Sequence, residues 1–378
     1  MLYIIPDYYP KFQCIGGSCP STCCGGWQIS IDAASLRKYR RIKGPLRSRL
    51  ENEIDWEHAC FRQYHGFCAF LNDENLCDLY LEGGGKKAFC KACRIFPRHA
   101  EEFAGVRELS LSLSCPVVAD LILHREKPVK FLYIKKDKQE KSFKNFDFSL
   151  FAKLMHTRRL IVQILQNRQK PFSLRAAIVL ALAHDLQQRV DVNALPQIDP
   201  LLKRYASAQT WDWFERRLLV LSASKDKQKQ IYCRLFSILE HLDVIRQDWI
   251  PYLENAKKTL TDLNSWTTDQ TSSFQEFFCD RTAEQLMVYF VFTYFCGSVY
   301  SRNPFTQMKF SFISVILIRE LARAAWLQNL ESMSANCVTE AAYRLTREIE
   351  HSDLNKWKMD QILANEKLFH LEKLFLLL

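Results

Sequence analysis

Glycine is scarce in this chain and missing from its middle. Eleven glycines occur in 378 residues, and none lies between Gly105 and Gly297. Tight turns between strands commonly use glycine, and the phosphate-binding turn of a Rossmann unit requires it. The absence therefore argues against a nucleotide-binding Rossmann unit in this part of the chain, and it favours helices.

Apolar residues at helical spacing fill the same part of the chain, and prolines fall between the periodic segments. The predicted helices are 148–168, 173–190, 210–223, 226–246, 272–300, 306–330, 336–351 and 354–376. Leucines at helical spacing near the C-terminus predict that the last segment packs on the body of the protein. We therefore interpret residues 135–378 as an all-α helical domain.

A long apolar run is also missing. The most apolar window, residues 286–300, is shorter than the ~20 residues of a membrane-spanning helix. We expect a buried core helix there and no membrane insertion. The first residues lack the basic and apolar segments of a signal peptide, so we expect a cytoplasmic protein with reduced thiols.

Positive charge is in excess but is not grouped. The formal net charge is +10 at pH 7, a balance that suits acidic partners. The lysines and arginines are dispersed, and no long basic tract or nucleic-acid motif occurs. We therefore expect no nucleic-acid partner, while a solvated surface and a functional patch both stay open.

Cysteine, by contrast, is concentrated near the N-terminus. Ten of the 14 cysteines fall in the first 115 residues, at Cys14, Cys19, Cys23, Cys24, Cys60, Cys68, Cys77, Cys90, Cys93 and Cys115. A chain of this length can bury a core without disulfides. Grouped thiolates are the soft ligands of zinc and of iron–sulfur clusters. The residues themselves leave both kinds of site open.

Individual cysteines and histidines differ in their expected roles. The sulfurs of the adjacent Cys23 and Cys24 rarely reach one metal together, so one packs while the other ligates, or each serves a different centre. The remaining residues are interpreted as packing or satisfied polar groups: Cys60, Cys233, Cys279, Cys296, Cys337, His58, His65, His99 and His184.

Residues 1–134 mix short strands, loops and helix. Alternation of apolar and polar residues predicts strands over 27–32 and 109–115, and two short strands around a polar turn at 72–75. Asp32 is placed to cap a helix that follows it. The predicted fold is therefore mostly α, with a cysteine-rich α+β region that holds a metal cluster in front of the helical domain.

Four segments of the N-terminal region carry a recognisable pattern. In order, they read Cys-x4-Cys-x3-Cys-Cys-Gly-Gly-Trp-x-Ile, Cys-x-Phe-Leu…Cys, Cys-Arg-Ile-Phe-Pro-Arg and Leu-x-x-Ser-Cys-Pro. Together they resemble the flagellin lysine-N-methylases, part of a wider family of cysteine-cluster proteins described as zinc- or iron-chelating. The four segments cover about residues 12–118, and Cys90 is an extra cysteine relative to the family pattern.

The resemblance implies a bacterial enzyme that moves methyl groups from S-adenosylmethionine to lysine ε-amino groups of flagellin. It also implies an iron–sulfur cluster of the four-iron type, with zinc as the alternative. The matching cysteines are the expected ligands: Cys14, Cys19, Cys23, Cys24, Cys68, Cys77, Cys93 and Cys115.

Two mechanisms are compatible with such an enzyme. Methylation of an amine needs only a deprotonated lysine in line with the methyl carbon, whereas radical chemistry usually uses the motif CxxxCxxC. That motif would need a cysteine at Gly26, so we favour displacement. The alternative function is a non-enzymatic zinc or iron–sulfur module for binding or electron transfer, whose helical domain docks a partner.

Overall fold

The computed structural model describes residues 1–137, 143–220, 225–261, 268–328 and 336–378. Helix dominates, and strands occur in the described residues only up to position 135. The expected fold class, mostly α with an N-terminal α+β region, is confirmed. No helix among the described residues is both long and apolar enough to cross a membrane.

The described strands all lie in the N-terminal region: β1 Leu2–Pro6, β2 Ile54–Asp55, β3 Cys60–Phe61, β4 Gln63–Tyr64, β5 Phe67–Cys68, β6 Arg98–Phe103, β7 Val106–Leu111 and β8 Phe131–Lys135. The main sheet has the order β6-β7-β1-β8, with β1 parallel to β7 and antiparallel to β8. The two-residue loop between β6 and β7 ends at Gly105, whose φ of 76° suits glycine. The predicted boundary at residue 134 stays a prediction.

The helices are α1 Ala33–Tyr39, α2 Pro45–Glu53, α3 Asp78–Glu82, α4 Lys91–Ile95, α5 Pro116–Leu123, α6 Phe148–Leu165, α7 Phe172–Asp191, α8 Ile198–Tyr205, α9 Ala208–Val220, α10 Lys225–Glu240, α11 Trp249–Thr261, α12 Thr268–Phe277, α13 Asp280–Tyr294, α14 Ser298–Ser301, α15 Pro304–Gln328, α16 Asn336–Glu350, α17 Asp353–Asn365 and α18 Leu371–Leu374. From α6 onward, the named elements of the described residues are helices, as the sequence predicted.

Several helix boundaries differ from the prediction. Helices α8 and α11 were not predicted, because each carries its proline in the first turn, where proline is tolerated. The predicted helix 272–300 is broken before α13, where Asp280 accepts a hydrogen bond from the Phe172 N–H at 2.7 Å. The predicted helix 354–376 stops after α17, where Glu366 pairs with Arg234.

The strand predictions in the N-terminal region were only partly correct. Ile29 and Ile31 are buried as the alternation predicts, but residues 27–32 form a single bridge, from Ser30 to Cys60, and no strand. Around the turn at 72–75, a bridge from Leu71 to Cys77 is followed by α3 and not by a second strand. The strand predicted at 109–115 is β7, which ends at residue 111. The Asp32 cap is confirmed, since its carboxylate accepts from the Ser35 N–H at 3.0 Å.

Buried apolar residues form two clusters. The larger core joins the inner face of the sheet to the helices and includes Leu374 near the C-terminus, so the last segment does pack on the body. A second cluster, here called the small core, lies among residues 29–90. The sheet and the helices are further joined by a buried ion pair, in which Arg158 of α6 donates to Glu108 of β7 at 2.7 Å.

Candidate metal centre and the polar network beside it

Gly26 ties the end of the loop of residues 14–27 to the turn at Gly66. Gly26 has a φ of 99°, and its N–H donates to the Gly66 carbonyl at 2.9 Å. A Cβ at position 26 would lie 2.4 Å from Cγ of Arg246, so the fold leaves no room for a side chain. This is the position where the usual radical motif would need its third cysteine.

Five thiols gather around the small core. Cys68 and Cys90 belong to it, and Cys24, Cys77 and Cys93 pack against it. The Cys68 N–H donates to the Cys24 carbonyl at 2.8 Å, which ties the loop to β5. The Sγ atoms of Cys90 and Cys93 are 3.6 Å apart, so Cys90, which the sequence marked as an extra, lies beside an expected ligand.

The other four expected ligands form a second group of thiols, here called the second neighbourhood: Cys14, Cys19, Cys23 and Cys115. The pKa of the Cys23 thiol is raised by its hydrogen bond to Cys24, by burial, and by the nearby Cys14 and Cys115. Cys14 and Cys19 in turn raise the pKa of Cys115, although burial is the main cause there. The adjacent Cys23 and Cys24 thus connect two groups of thiols that meet at this point of the loop.

Arg347 of α16 holds the second neighbourhood in place. Its guanidinium donates to the Ser21 carbonyl through Nη2 at 2.7 Å and to the Ser114 carbonyl through Nε at 2.9 Å. Only 1% of the residue is exposed, and its charge lies 5.5 Å from the centre of the Trp27 ring. Since Ser21 and Ser114 each neighbour an expected ligand, one helical residue joins two distant parts of the cysteine region.

The donor set suits a soft metal centre in chemistry and burial. Burial raises the pKa of Cys68 to about 12 and that of Cys115 to about 11, so a bound cation would be needed to stabilise their thiolates. No three Cys, His, Asp or Glu side chains of the described residues converge closely enough to hold a single metal ion. The thiols fit a cluster by type and number, and the ligand assignment stays a prediction.

The remaining cysteines and histidines mostly have structural partners. Cys60 is buried and accepts from Gln28 Nε2 at 2.9 Å. His58 contacts Asp55 at 2.9 Å, and His184 contacts its neighbour Asp185 at 3.4 Å. Cys296 and Cys337 are buried as expected. The interpretation was wrong for Cys233, which is exposed because its position on α10 faces away from the core, and Cys279 is only half-buried.

A polar network that the sequence did not indicate lies beside Cys115. Glu350, at the end of α16, accepts from the Tyr289 hydroxyl at 2.9 Å and from the Ser112 hydroxyl at 2.9 Å. Ser112 is hydrogen-bonded to Ser114 at 2.7 Å, and Ser114 to His351 Nε2 at 2.7 Å. These partners are far apart along the chain, so no local pattern could have identified them.

Arg347 also lines a small cavity with charged walls. Its lining includes Arg246, Arg344 and Glu348, and it encloses about 200 Å³, part of it open to solvent. Glu348 accepts from the Ile245 N–H at 2.7 Å, and burial raises its pKa to about 7. Asp248 also lines the cavity and pairs with both Arg246 and Arg344, so the arginine charges are already neutralised there.

Relatives of this chain carry flagellar or methylase names. It is 29% identical over 128 residues to a lysine-N-methylase of Salmonella typhimurium, a stretch that covers 32% of each chain. It is 30% identical over 128 residues to the flagellar biosynthetic protein FliU of Salmonella muenchen, covering 32% of this chain and 75% of FliU. The chain thus matches about a third of the length of that methylase. No solved structure matches it.

The helical part carries the family match. Residues 158–377 match the model of the FliB lysine N-methylase C-terminal domain, which is more than half of the 378 residues. The matched region contains Arg347 and His351, which contact the loop of residues 14–27, and Glu350, which accepts from Ser112. The chain therefore belongs to the FliB lysine N-methylase family.

Proposed function

We propose that this protein transfers methyl groups from S-adenosylmethionine to lysine ε-amino groups of flagellin. The observation that carries the proposal is the family match over residues 158–377, which includes the arginine that fastens the cysteine loop to the helices. The flagellar name of the FliU relative supports flagellin as the protein substrate. A cytoplasmic protein could modify flagellin before export.

We further propose that the cysteine region binds an iron–sulfur cluster of the four-iron type. A cluster of this type takes four thiolates. The expected ligands from which these would come are Cys14, Cys19, Cys23, Cys24, Cys68, Cys77, Cys93 and Cys115, and Cys90 is an additional candidate because of its distance from Cys93. When bound, a cluster would supply an iron–sulfur centre to the cysteine region. Zinc is the alternative occupant.

Direct displacement is the mechanism that the chain's own residues support. A neutral lysine amine placed in line with a methyl carbon needs positioning and loss of a proton, and no radical is required. The position that a radical motif would fill with cysteine is Gly26, where Arg246 excludes a side chain. The chain's task would then be to hold the lysine, exclude water and remove one proton.

Two measurements test the proposal separately. Anaerobically purified protein should be brown, absorb near ~400 nm and contain iron and sulfide. A colourless protein with stoichiometric zinc would refute the iron–sulfur part alone.

Incubation of the loaded protein with labelled S-adenosylmethionine and purified flagellin should transfer label to lysines. A matched control is flagellin whose lysines have been chemically blocked, which should take up no label. If several unmodified flagellins take up no label either, the methylase proposal fails. A non-enzymatic metal-binding or electron-transfer module that docks a partner would then explain the chain better.

A further inference from the structure

Glu350 is a carboxylate held inside the protein by hydroxyl groups. Tyr289 donates to it at 2.9 Å and Ser112 donates at 2.9 Å. Burial raises its pKa, whereas the hydrogen bonds from the hydroxyls and the positive charge of Lys356 oppose that rise. A carboxyl group in this setting can take up a proton more readily than an exposed one.

The hydrogen bonds continue from Glu350 to the cysteine region. Ser112 and Ser114 are 2.7 Å apart through their hydroxyl oxygens, and Ser114 lies 2.7 Å from His351 Nε2. With Ser112 donating to Glu350, the consistent directions are His351 to Ser114 and Ser114 to Ser112. A continuous line of three hydrogen bonds therefore joins the carboxylate to the imidazole.

His351 ends this line next to the loop of residues 14–27. Its ring is stacked on Trp27, with ring centres 4.3 Å apart and planes 16° apart. The residue is half-buried, and among the described residues no partner hydrogen-bonds to Nδ1. Burial and the charges of Arg347 and Lys356 lower its pKa to about 4, so the imidazole is neutral at pH 7.

We propose that Glu350, Ser112, Ser114 and His351 form a proton relay that deprotonates the lysine to be methylated. The inference rests on the proposed methyltransferase function and assigns its base. In this relay His351 takes the proton from the amine, and Glu350 is the final acceptor.

Four proton transfers lead from the lysine ammonium to Glu350. Nδ1 of His351 accepts a proton from the lysine ammonium while Nε2 gives its proton to Ser114. Ser114 passes its hydroxyl proton to Ser112, and Ser112 passes its own to the Glu350 carboxylate. The neutral amine then forms a bond to the methyl carbon as the carbon–sulfur bond breaks, with its electron pair left on sulfur.

The charges around the relay support this direction of transfer. Arg347 and Lys356 face His351, so a doubly protonated imidazole is disfavoured and passes its proton on. Tyr289, Tyr294 and Lys356 face Glu350. The proton is therefore more stable on Glu350, which is surrounded by hydroxyl groups, than on His351, which lies near two cations.

The test compares His351→Ala, Ser114→Ala and Glu350→Gln in the loaded, full-length protein, with His156→Ala as the control, since His156 is an exposed histidine on α6. At pH 7 the relay variants should methylate flagellin roughly 10²–10⁴-fold more slowly than wild type. Their rates should recover by about tenfold per pH unit as the amine loses its proton to water, and added imidazole should partly rescue His351→Ala.

Iron content and far-UV circular dichroism of each variant separate a chemical defect from a structural one, which matters because Ser114 precedes an expected ligand. An active wild type whose folded, iron-loaded relay variants keep its rate, or stay slow at high pH, would overturn the relay. An inactive, fully loaded wild type would instead overturn the methylase proposal and the relay with it. Unchanged activity in His156→Ala shows that loss of a histidine alone is harmless.

Discussion

Arg347→Met should loosen the contact between the cysteine loop and the helices. Arg347 is 1% exposed and donates to the Ser21 and Ser114 carbonyls at 2.7 and 2.9 Å. Methionine fills similar space but donates nothing. The Ser114 carbonyl loses the donor that Arg347 supplies, and the Ser21 carbonyl keeps only the thiol of Cys19 at 3.3 Å. Losses of this kind cost about 1–3 kcal/mol each, or roughly 2–6 kcal/mol together. The substitution also removes the repulsion between Arg347 and Arg246, so we expect a net loss of about 3 kcal/mol in the free energy of opening the loop.

The rate of native-state thiol labelling in reduced, metal-free protein measures this loss. Local opening limits the labelling of buried thiols, so about 3 kcal/mol should accelerate their reaction roughly 100-fold. Arg344→Met is the matched control, because Arg344 pairs with the more exposed Glu340 and Asp248 and its loss should change labelling little. Equal labelling rates in the two variants would show that Arg347 does not hold the loop.

Three further substitutions test separate features by thermal or denaturant unfolding. Gly26→Ala should cost roughly 1–3 kcal/mol more than Gly44→Ala, because both positions have positive φ but only position 26 lacks room for a Cβ; equal losses would refute the clash. Glu348, whose pKa is raised to about 7, should favour the folded state below its unfolded pKa and lose that advantage as pH rises to about 7. Wild type should therefore lose stability relative to Glu348→Gln between pH 5 and 7.5, and parallel pH profiles would contradict the assignment. Arg158→Met should cost roughly 3–5 kcal/mol because it leaves Glu108 buried without its partner; a loss below 1 kcal/mol would show that the pair does not stabilise the junction between sheet and helices.

Local patterns predicted local structure well. The missing glycines and the apolar periodicity predicted a helical domain, and Asp32 predicted a helix start that its hydrogen bond to Ser35 confirms. Both depend on residues close together in sequence. Helix ends were predicted less well, since the break before α13 and the end of α17 coincide with contacts of Asp280 and Glu366 to distant residues.

Burial periodicity alone did not predict pairing. Ile29 and Ile31 point inward as an alternating strand would require, but residues 27–32 share only one bridge with β3. A strand needs consecutive pairs in register, and this segment of the chain makes only isolated bridges, from Gly25 to Phe67 and from Ser30 to Cys60. The burial of these side chains was therefore predictable and the strand was not.

The sequence by itself determined the helical class of residues 148–378 and the set of thiols offered to a metal, because both follow from residue type and spacing. Only the tertiary structure decided that Cys24 faces the small core while Cys23 neighbours Cys14 and Cys115, and that Cys90 lies beside Cys93. It alone also joined Glu350 and His351 to residues 112–114. These contacts span more than 200 residues and form only when α16 packs against the cysteine region, which no local pattern encodes.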